Sequence, residues 1–219
     1  MRALLIGLFG CFSVSLLAQT QLGLRVGVAH LRPDWDIVVT DIEGNPVENS
    51  IYGLNGLSAG VLLPLPLKER LVLQPELSFV QKSLVIPSDA GPRAGVPRTE
   101  LRFAHLALPV LLKGIFGKHN WQFYWQAGPT LAYTLRGTEV NYTQLGTGTN
   151  ALRFNNTGPF GFRRLDFGGV VGGGLSYGRG ERLRLLLDAR YGVGFRNLTT
   201  RTTYRNRTFT ISTGAVVSL

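Results

Sequence analysis

Apolar and polar residues alternate with a period of two along most of this chain. In residues 183–196 the odd positions are aliphatic or aromatic, whereas the even positions are mostly arginine, aspartate or glycine. Alternation of this kind predicts a β-strand with one apolar face, since an amphipathic helix would repeat every 3.6 residues. No helical period follows the first eighteen residues, so the chain is predicted to be all-β.

Eight segments carry the alternation, and each is about as long as a tilted membrane-crossing strand, roughly ten residues. Residues 54–64 alternate only in their second half, and residues 99–116 change phase near Ala104 and His105, which predicts a β-bulge there. The eight predicted strands lie within residues 21–29, 54–64, 71–82, 99–116, 121–134, 165–177, 182–196 and 208–219.

The connections between these segments alternate in length. Short links are predicted at residues 66–69, 117–120 and 178–181, and long polar ones at 31–53, 84–98, 137–163 and 197–206. Aromatic residues mark the strand ends and predict two interfacial girdles: Phe116, Trp121 and Tyr177 beside the short links, and Phe79, Phe103, Tyr133, Phe167, Phe195 and Phe209 beside the long ones. The pattern predicts an eight-stranded antiparallel up-and-down transmembrane β-barrel with short periplasmic turns and long extracellular loops.

A secreted barrel with its apolar face inward is the main alternative fold, and the strand glycines argue against it. Glycine weakens a strand and has no purpose on a face in open water. An eight-stranded barrel, however, has an interior barely wide enough for its own side chains. Glycines on the polar face therefore predict a polar lumen with little space; they include Gly168, Gly172, Gly174, Gly192 and Gly194.

The glycines of residues 167–180 do not have the spacing of a nucleotide-binding loop. We expect them instead to leave room for long side chains of the next strand. A four-residue turn at 178–181 would place Gly172 and Gly174 across from Arg184, Leu186 and Asp188, and Gly168 near Arg190 or Gly192.

Charged residues on the polar face form the candidate functional site. Because an isolated buried charge is costly, we expect these residues to pair and fill the lumen; the alternative is an ion path through a small diffusion channel. The predicted network consists of Arg25, Glu76, Lys82, Lys113, Asp166, Arg184, Asp188 and Arg190.

The amino terminus predicts export. Arg2, an apolar run over residues 3–17 and a small residue at Ala18 have the form of a cleaved signal peptide, residues 1–18, ahead of a barrel domain at residues 19–219. The single cysteine, Cys11, lies in the signal, so disulfides and cysteine metal sites are not expected.

Charge then limits the partners. The 23 basic residues include Arg2, so 22 remain against 13 acidic ones, a formal charge of +9 (22 − 13). The basic residues are scattered singly, which argues against nucleic acid binding. We expect contact with outer-membrane lipid and lipopolysaccharide, whose anionic groups such a charge attracts, and a monomeric barrel.

Histidine placement gives little support for catalysis. Of the three histidines, only His105 falls where it could approach Ser78 or Glu76 on the adjacent strand. A catalytic site needs a nucleophile or base with an orienting partner. We therefore expect no catalytic residue, cofactor or metal, with an outer-membrane hydrolase as the less favoured alternative.

Five segments stand out for their order and spacing: ELSFVQKS (residues 76–83), LALPVLLKG (106–114), GPTLAY (128–133), RLDFGGVVGGGLSY (164–177) and LLLDARYGVGFRNL (185–198). Together they resemble the PorT-type outer-membrane β-barrel family of Bacteroidota. The resemblance implies an eight-stranded outer-membrane barrel without catalytic residues, and some members of the family are linked to protein secretion. The expected role is a non-enzymatic interaction or accessory component of the cell envelope.

Overall fold

The computed structural model describes residues 21–35, 39–40, 46–47, 51–87, 98–117, 120–143, 146–152, 154, 162–178, 182–197 and 204–218. The predicted signal peptide lies outside them. Within these ranges no helix has the length and apolar character that crossing a membrane requires.

Eight long strands form the body of the protein. They are β1 (Gln21–Trp35), β2 (Tyr52–Leu62), β3 (Leu71–Pro87), β4 (Arg98–Phe116), β5 (Trp121–Thr143), β6 (Leu165–Tyr177), β7 (Leu183–Gly194) and β8 (Tyr204–Ser218). The predicted alternation sets their two faces: Leu24 is 63% exposed on the outer face, whereas its neighbour Arg25 is 5% exposed on the inner face.

The strands close into a ring. Each pairs antiparallel with the next, and β8 returns to β1 with Gln21 opposite Ser218 and Trp35 opposite Tyr204. Closure removes the unpaired edges that an open sheet would present. The all-β, eight-stranded antiparallel barrel predicted from the sequence is confirmed.

Three short connections lie at one end of the barrel, here called the turn end. At the first of them the expected turn at residues 66–69 was wrong. Residues Leu65–Lys68 pair with the start of β3 as a further strand, and the turn falls at Glu69 and Arg70. The connection after β4 begins at Gly117, whose φ of 107° suits glycine.

At the opposite end, here called the loop end, several strands are longer than predicted. β1 runs to Trp35, β3 to Pro87 and β5 to Thr143, so part of each expected loop is paired strand. A further strand, Gly146–Ala151, pairs with the end of β5, and Val39–Thr40 pairs with Pro46–Val47. The apolar alternation stops earlier because these extensions rise beyond the apolar outer band.

The bulge predicted near Ala104 and His105 has its extra residue on the neighbouring strand. Ala104 lies opposite Arg136, and His105 lies opposite Thr134, so Leu135 of β5 is unmatched. Inward burial on β4 continues through Phe103 and His105, whereas on β5 it passes from Thr134 to Gly137. The change of phase therefore belongs to β5.

The girdle prediction was wrong for Phe103. This residue is 7% exposed and faces inward, where its ring packs edge-on against Phe162 with centroids 5.4 Å apart. Phe103 belongs to a loop-end apolar cluster with Leu31, Leu84, Leu101 and Phe162. A second cluster, at the turn end, consists of Leu62, Tyr124, Leu186 and Val216. The central charges of the lumen, those of Arg25, Glu76, Asp188 and Arg190, lie between these two clusters.

Candidate functional site

Four charged side chains form a network in the middle of the lumen. Arg25, Glu76, Asp188 and Arg190 are each at most 5% exposed. Arg190 donates from Nη1 to Glu76 Oε2 at 2.7 Å and from Nε to Asp188 Oδ1 at 3.0 Å. Arg25 Nη2 lies 3.2 Å from Glu76 Oε2, and its Nη1 lies 4.0 Å from Asp188 Oδ1. Each carboxylate thus contacts both arginines, and the four charges balance.

The contact between Arg190 and Glu76 crosses the barrel. Glu76 lies on β3 and Arg190 on β7, and three strands separate β3 from β7 in either direction around the ring. The two strands therefore face each other, and the two side chains together reach from wall to wall. Arg25, on β1, approaches the same pair from the side.

Neutral side chains complete the coordination of the two carboxylates. Ser212 Oγ donates to Asp188 Oδ1 at 2.8 Å, and the Tyr124 hydroxyl donates to Oδ2 at 3.4 Å. Gln74 Nε2 donates to Glu76 Oε1 at 2.6 Å. Hydrogen bonds to a buried charge offset part of the cost of removing it from water, so these contacts hold the network in its buried position.

Two further predicted charges lie nearer the turn end. The ammonium of Lys113 stands 3.6 Å from the centroid of the Tyr124 ring, an attractive cation–π arrangement. Lys113 and Arg184 both line an open vestibule of about 470 Å³. No carboxylate in the described part of the chain lies within 4.0 Å of either cation.

The remaining two predicted charges, Lys82 and Asp166, lie toward the loop end. Both line a cavity of about 100 Å³ on that side of the network. Asn206 Nδ2 donates to Asp166 Oδ2 at 3.3 Å, while Oδ1 is buried without a hydrogen bond to any described residue. A cavity of this size lined by polar side chains has room for a few ordered waters. The eight predicted charges therefore occupy three levels of the lumen.

The predicted lumen glycines of β6 face the network, in a register different from the expected one. Gly172 lies opposite Arg190, Gly174 opposite Asp188 and Gly168 opposite Gly194. The last pair between β6 and β7 is Tyr177 with Leu185, so seven residues, 178–184, connect the paired parts of the two strands instead of the expected four. The predicted neighbours of Gly172 and Gly168 were therefore wrong.

Space around these glycines is unequal. A Cβ at Gly174 would stand 2.6 Å from the Tyr124 hydroxyl and would also meet the Leu187 carbonyl oxygen. At Gly194 it would lie 3.0 Å from both carboxylate oxygens of Asp166. At Gly192 the nearest atoms are 3.8 Å away. Gly192 was expected to make room for a long neighbouring side chain, but it borders the cavity instead.

One ion pair lies beyond the apolar band, at the loop end of β4. Arg102 donates from Nε and Nη2 to the two Glu100 oxygens at 2.8 and 2.9 Å, and the Tyr142 hydroxyl donates to Glu100 at 3.2 Å. The hydrogen bonds from Arg102 hold the pKa of Glu100 below its ordinary value of 4.5. The ion pair lies within β4, and the hydrogen bond from Tyr142 of β5 joins it to the neighbouring strand.

His105 has a hydrogen-bond partner on the neighbouring strand. His105 Nδ1 lies 3.1 Å from Thr134 Oγ1, and Ser78 Oγ accepts a hydrogen bond from Arg25. The predicted approach of His105 to Ser78 or Glu76 has no hydrogen bond to support it, because His105 lies opposite Val80 of β3 and Ser78 lies opposite Ala107. The described residues contain no group of three metal-ligating side chains.

Sequence reasoning missed the neutral members of the site. Gln74, Tyr124 and Ser212 all occupy inward positions of alternating strands, so their facing could have been read from the pattern. The pattern does not distinguish them from other inward polar residues, because their hydrogen bonds to Glu76 and Asp188 depend on how the strands pair.

Comparison with known proteins agrees with this geometry. The sequence model of a family described as "Outer membrane protein beta-barrel domain" matches residues 4–200. No curated protein sequence matches the chain significantly.

Among solved structures, the outer membrane protein OprG from Pseudomonas aeruginosa is 10% identical, with a TM-score of 0.52 over 92% of this chain and 98% of that one. Neisserial surface protein A is 12% identical, with a TM-score of 0.50 over 90% of this chain and 97% of that one. Identities this low show a shared fold alone.

Proposed function

The chain belongs to the outer membrane protein β-barrel domain family, and from this premise we propose that it is a non-enzymatic barrel whose lumen is filled and whose loop end binds a partner in the cell envelope. The observation that carries the proposal is the wall-to-wall contact of Arg190 with Glu76, joined by Arg25 and Asp188. Moving any of these side chains aside would leave a buried charge unpaired, at a large cost in free energy. Such a lumen favours a structural plug over an ion path.

The loop end supports a role in interaction. Strands β3, β4 and β5 continue there beyond the apolar band, and the described part of the surface at this end is basic. Exposed arginines at this end are Arg32, Arg98, Arg102, Arg136, Arg164, Arg196 and Arg205, while no described carboxylate there is exposed. The fitting partner is acidic: the phosphate groups of lipopolysaccharide beside the barrel, or an acidic envelope protein. The resemblance to PorT-type barrels suggests protein secretion as the setting.

Co-purification from native membranes tests the interaction. The pairing of Val140 with Thr149 allows a sharp variant, in which residues 141–148 are replaced by Asn-Gly, a sequence suited to a two-residue hairpin turn. We expect the intact protein to retain a partner that the shortened one loses, while both give the same heat-modifiable band on a denaturing gel. Equal recovery of every partner by both proteins would contradict a role for this hairpin.

A small diffusion channel is the second candidate function. The observation that favours it is that the vestibule of about 470 Å³ and the cavity of about 100 Å³ lie on opposite sides of the charged network. Planar bilayers separate the two candidates. The filled lumen predicts no steady conductance, and reproducible conductance steps from the purified protein would favour the channel.

Location is a further part of the proposal. We propose export through cleavage of residues 1–18, followed by insertion with the turn end in the periplasm and the loop end outside. The mature chain should then begin at Gln19 and fractionate with outer membranes. Recovery as a soluble periplasmic protein would contradict this.

A further inference from the structure

The geometry points to a second binding site at the turn end: we propose that the vestibule there binds a small amphipathic organic anion, whose carboxylate is held by Arg184 and Lys113. This site lies at the opposite end of the barrel from the proposed partner surface and does not depend on it.

The charge balance of the lumen is the first part of the argument. Glu76 and Asp188 are already shared by Arg25 and Arg190, two charges against two. Lys113 and Arg184 are not part of that balanced set, and both line the vestibule. Its lining also includes the exposed Lys68 and Glu69, whose charges are opposite, so the lining keeps an excess of two positive charges. A carboxylate bound between Lys113 and Arg184 would neutralise half of this excess, which matters most where side chains are removed from water.

The burial of the polar groups is the second part. Lys113 is only 7% exposed, and Arg184 Nη1 is a buried atom without a hydrogen-bond partner among the described residues. Gln74, 1% exposed, lines the same space with an Oε1 that likewise has no described partner. Buried polar atoms are nearly always satisfied in folded proteins, so these atoms mark a place where a ligand and its water belong.

The walls define the rest of the ligand. Val72, Ile115, Leu186 and Val216 line the vestibule, and the segment of Leu65–Lys68 borders it with Leu67. The volume of about 470 Å³ falls within the range of small-molecule pockets, roughly 300–1,000 Å³, and such pockets combine apolar walls with a few polar groups. A free inorganic ion would leave these apolar walls in water, whereas an organic anion covers them.

Titration of hexanoate into the full-length barrel in neutral phosphatidylcholine nanodiscs, followed by calorimetry, tests the site. We expect one hexanoate per barrel, with affinity reduced at least tenfold in Arg184→Gln and in Lys113→Met. Hexanol, which lacks the charge, and inorganic phosphate, which lacks the apolar body, should each bind at least tenfold more weakly than hexanoate. Hexanoate binding that is absent, or unchanged in both variants, would overturn the proposal, and phosphate binding as tight as hexanoate would overturn the amphipathic class.

Two further variants keep the test decisive. Val216 lies opposite Arg184 in the register, so Val216→Glu supplies a carboxylate from the barrel itself and should abolish hexanoate binding while the barrel stays heat-modifiable. If Arg184→Gln does not fold, an unchanged affinity in Val216→Glu overturns the proposal. Arg102→Gln, at the loop end, is the matched control and should bind hexanoate as the wild type does.

Discussion

Arg190 and Glu76 stand 114 positions apart in the sequence, yet their side chains meet across the barrel at 2.7 Å. We expect Glu76→Leu to leave Arg25 and Arg190 sharing one carboxylate, at a cost of about 3–5 kcal/mol in the free energy of unfolding. Urea unfolding in lipid vesicles measures this. Glu100→Gln, which removes an ion pair outside the lumen, is the control and should cost at most about 1 kcal/mol. Equal losses in the two variants would contradict the importance of the cross-lumen contact.

Removing both partners should cost less than removing Glu76 alone. Arg190→Leu combined with Glu76→Leu takes one positive and one negative charge out of the lumen and leaves Arg25 with Asp188. Apolar replacement of a complete buried pair is often neutral, whereas breaking the pair is destabilising. We expect the double variant to unfold at a higher urea concentration than Glu76→Leu. A double variant less stable than both single variants would refute this.

Two inward glycines should respond oppositely to alanine. At Gly174 the new Cβ would meet the Leu187 carbonyl and the Tyr124 hydroxyl, so overpacking should cost about 1–3 kcal/mol and reduce the heat-modifiable fraction. At Gly192 the nearest atoms are 3.8 Å away, so alanine should stabilise the strand by about 0.5–1 kcal/mol. Finding both substitutions harmful to the same degree would mean that the cavity beside Gly192 is absent.

The ion pair of Glu100 and Arg102 should make the loop-end extensions sensitive to acid. Because the folded-state pKa of Glu100 is lowered, chiefly by the hydrogen bonds from Arg102, its contribution to stability is present above its ordinary pKa and is lost as the pH falls through the lowered value. Hydrogen exchange at paired amides of residues 98–103 and 136–142 measures this. Wild type should be better protected than Glu100→Gln at neutral pH, and the two should converge in acid. A difference that persists in acid would assign the protection to another contact.

Periodicity alone predicts the ring of strands and which residues face inward, because facing depends only on position along one strand. Arg25 and Asp188 could thus be placed in the lumen from the sequence. Their contact could not be predicted, since it depends on the register of strands far apart in the chain. Gly172 shows the limit: three extra residues in one turn changed its neighbour from the predicted Leu186 region to Arg190. Phe103 shows a second limit of sequence-based prediction, because an aromatic residue at a strand end can belong either to an interfacial girdle or to an inward apolar cluster.

The pairing of β1 with β8 has a consequence for the order of assembly. The strand made first finds its second neighbour only in the strand made last, with Gln21 opposite Ser218. Until then two open sheet edges remain, which hydrocarbon does not tolerate, and Glu76 lacks its contact with Arg190 if β7 has not yet been placed. A partly formed barrel is therefore not expected to be a stable intermediate in the bilayer. We expect ring closure and the pairing of Glu76 with Arg190 to occur together, late in folding. Both steps should be slow, because they join residues far apart in the sequence.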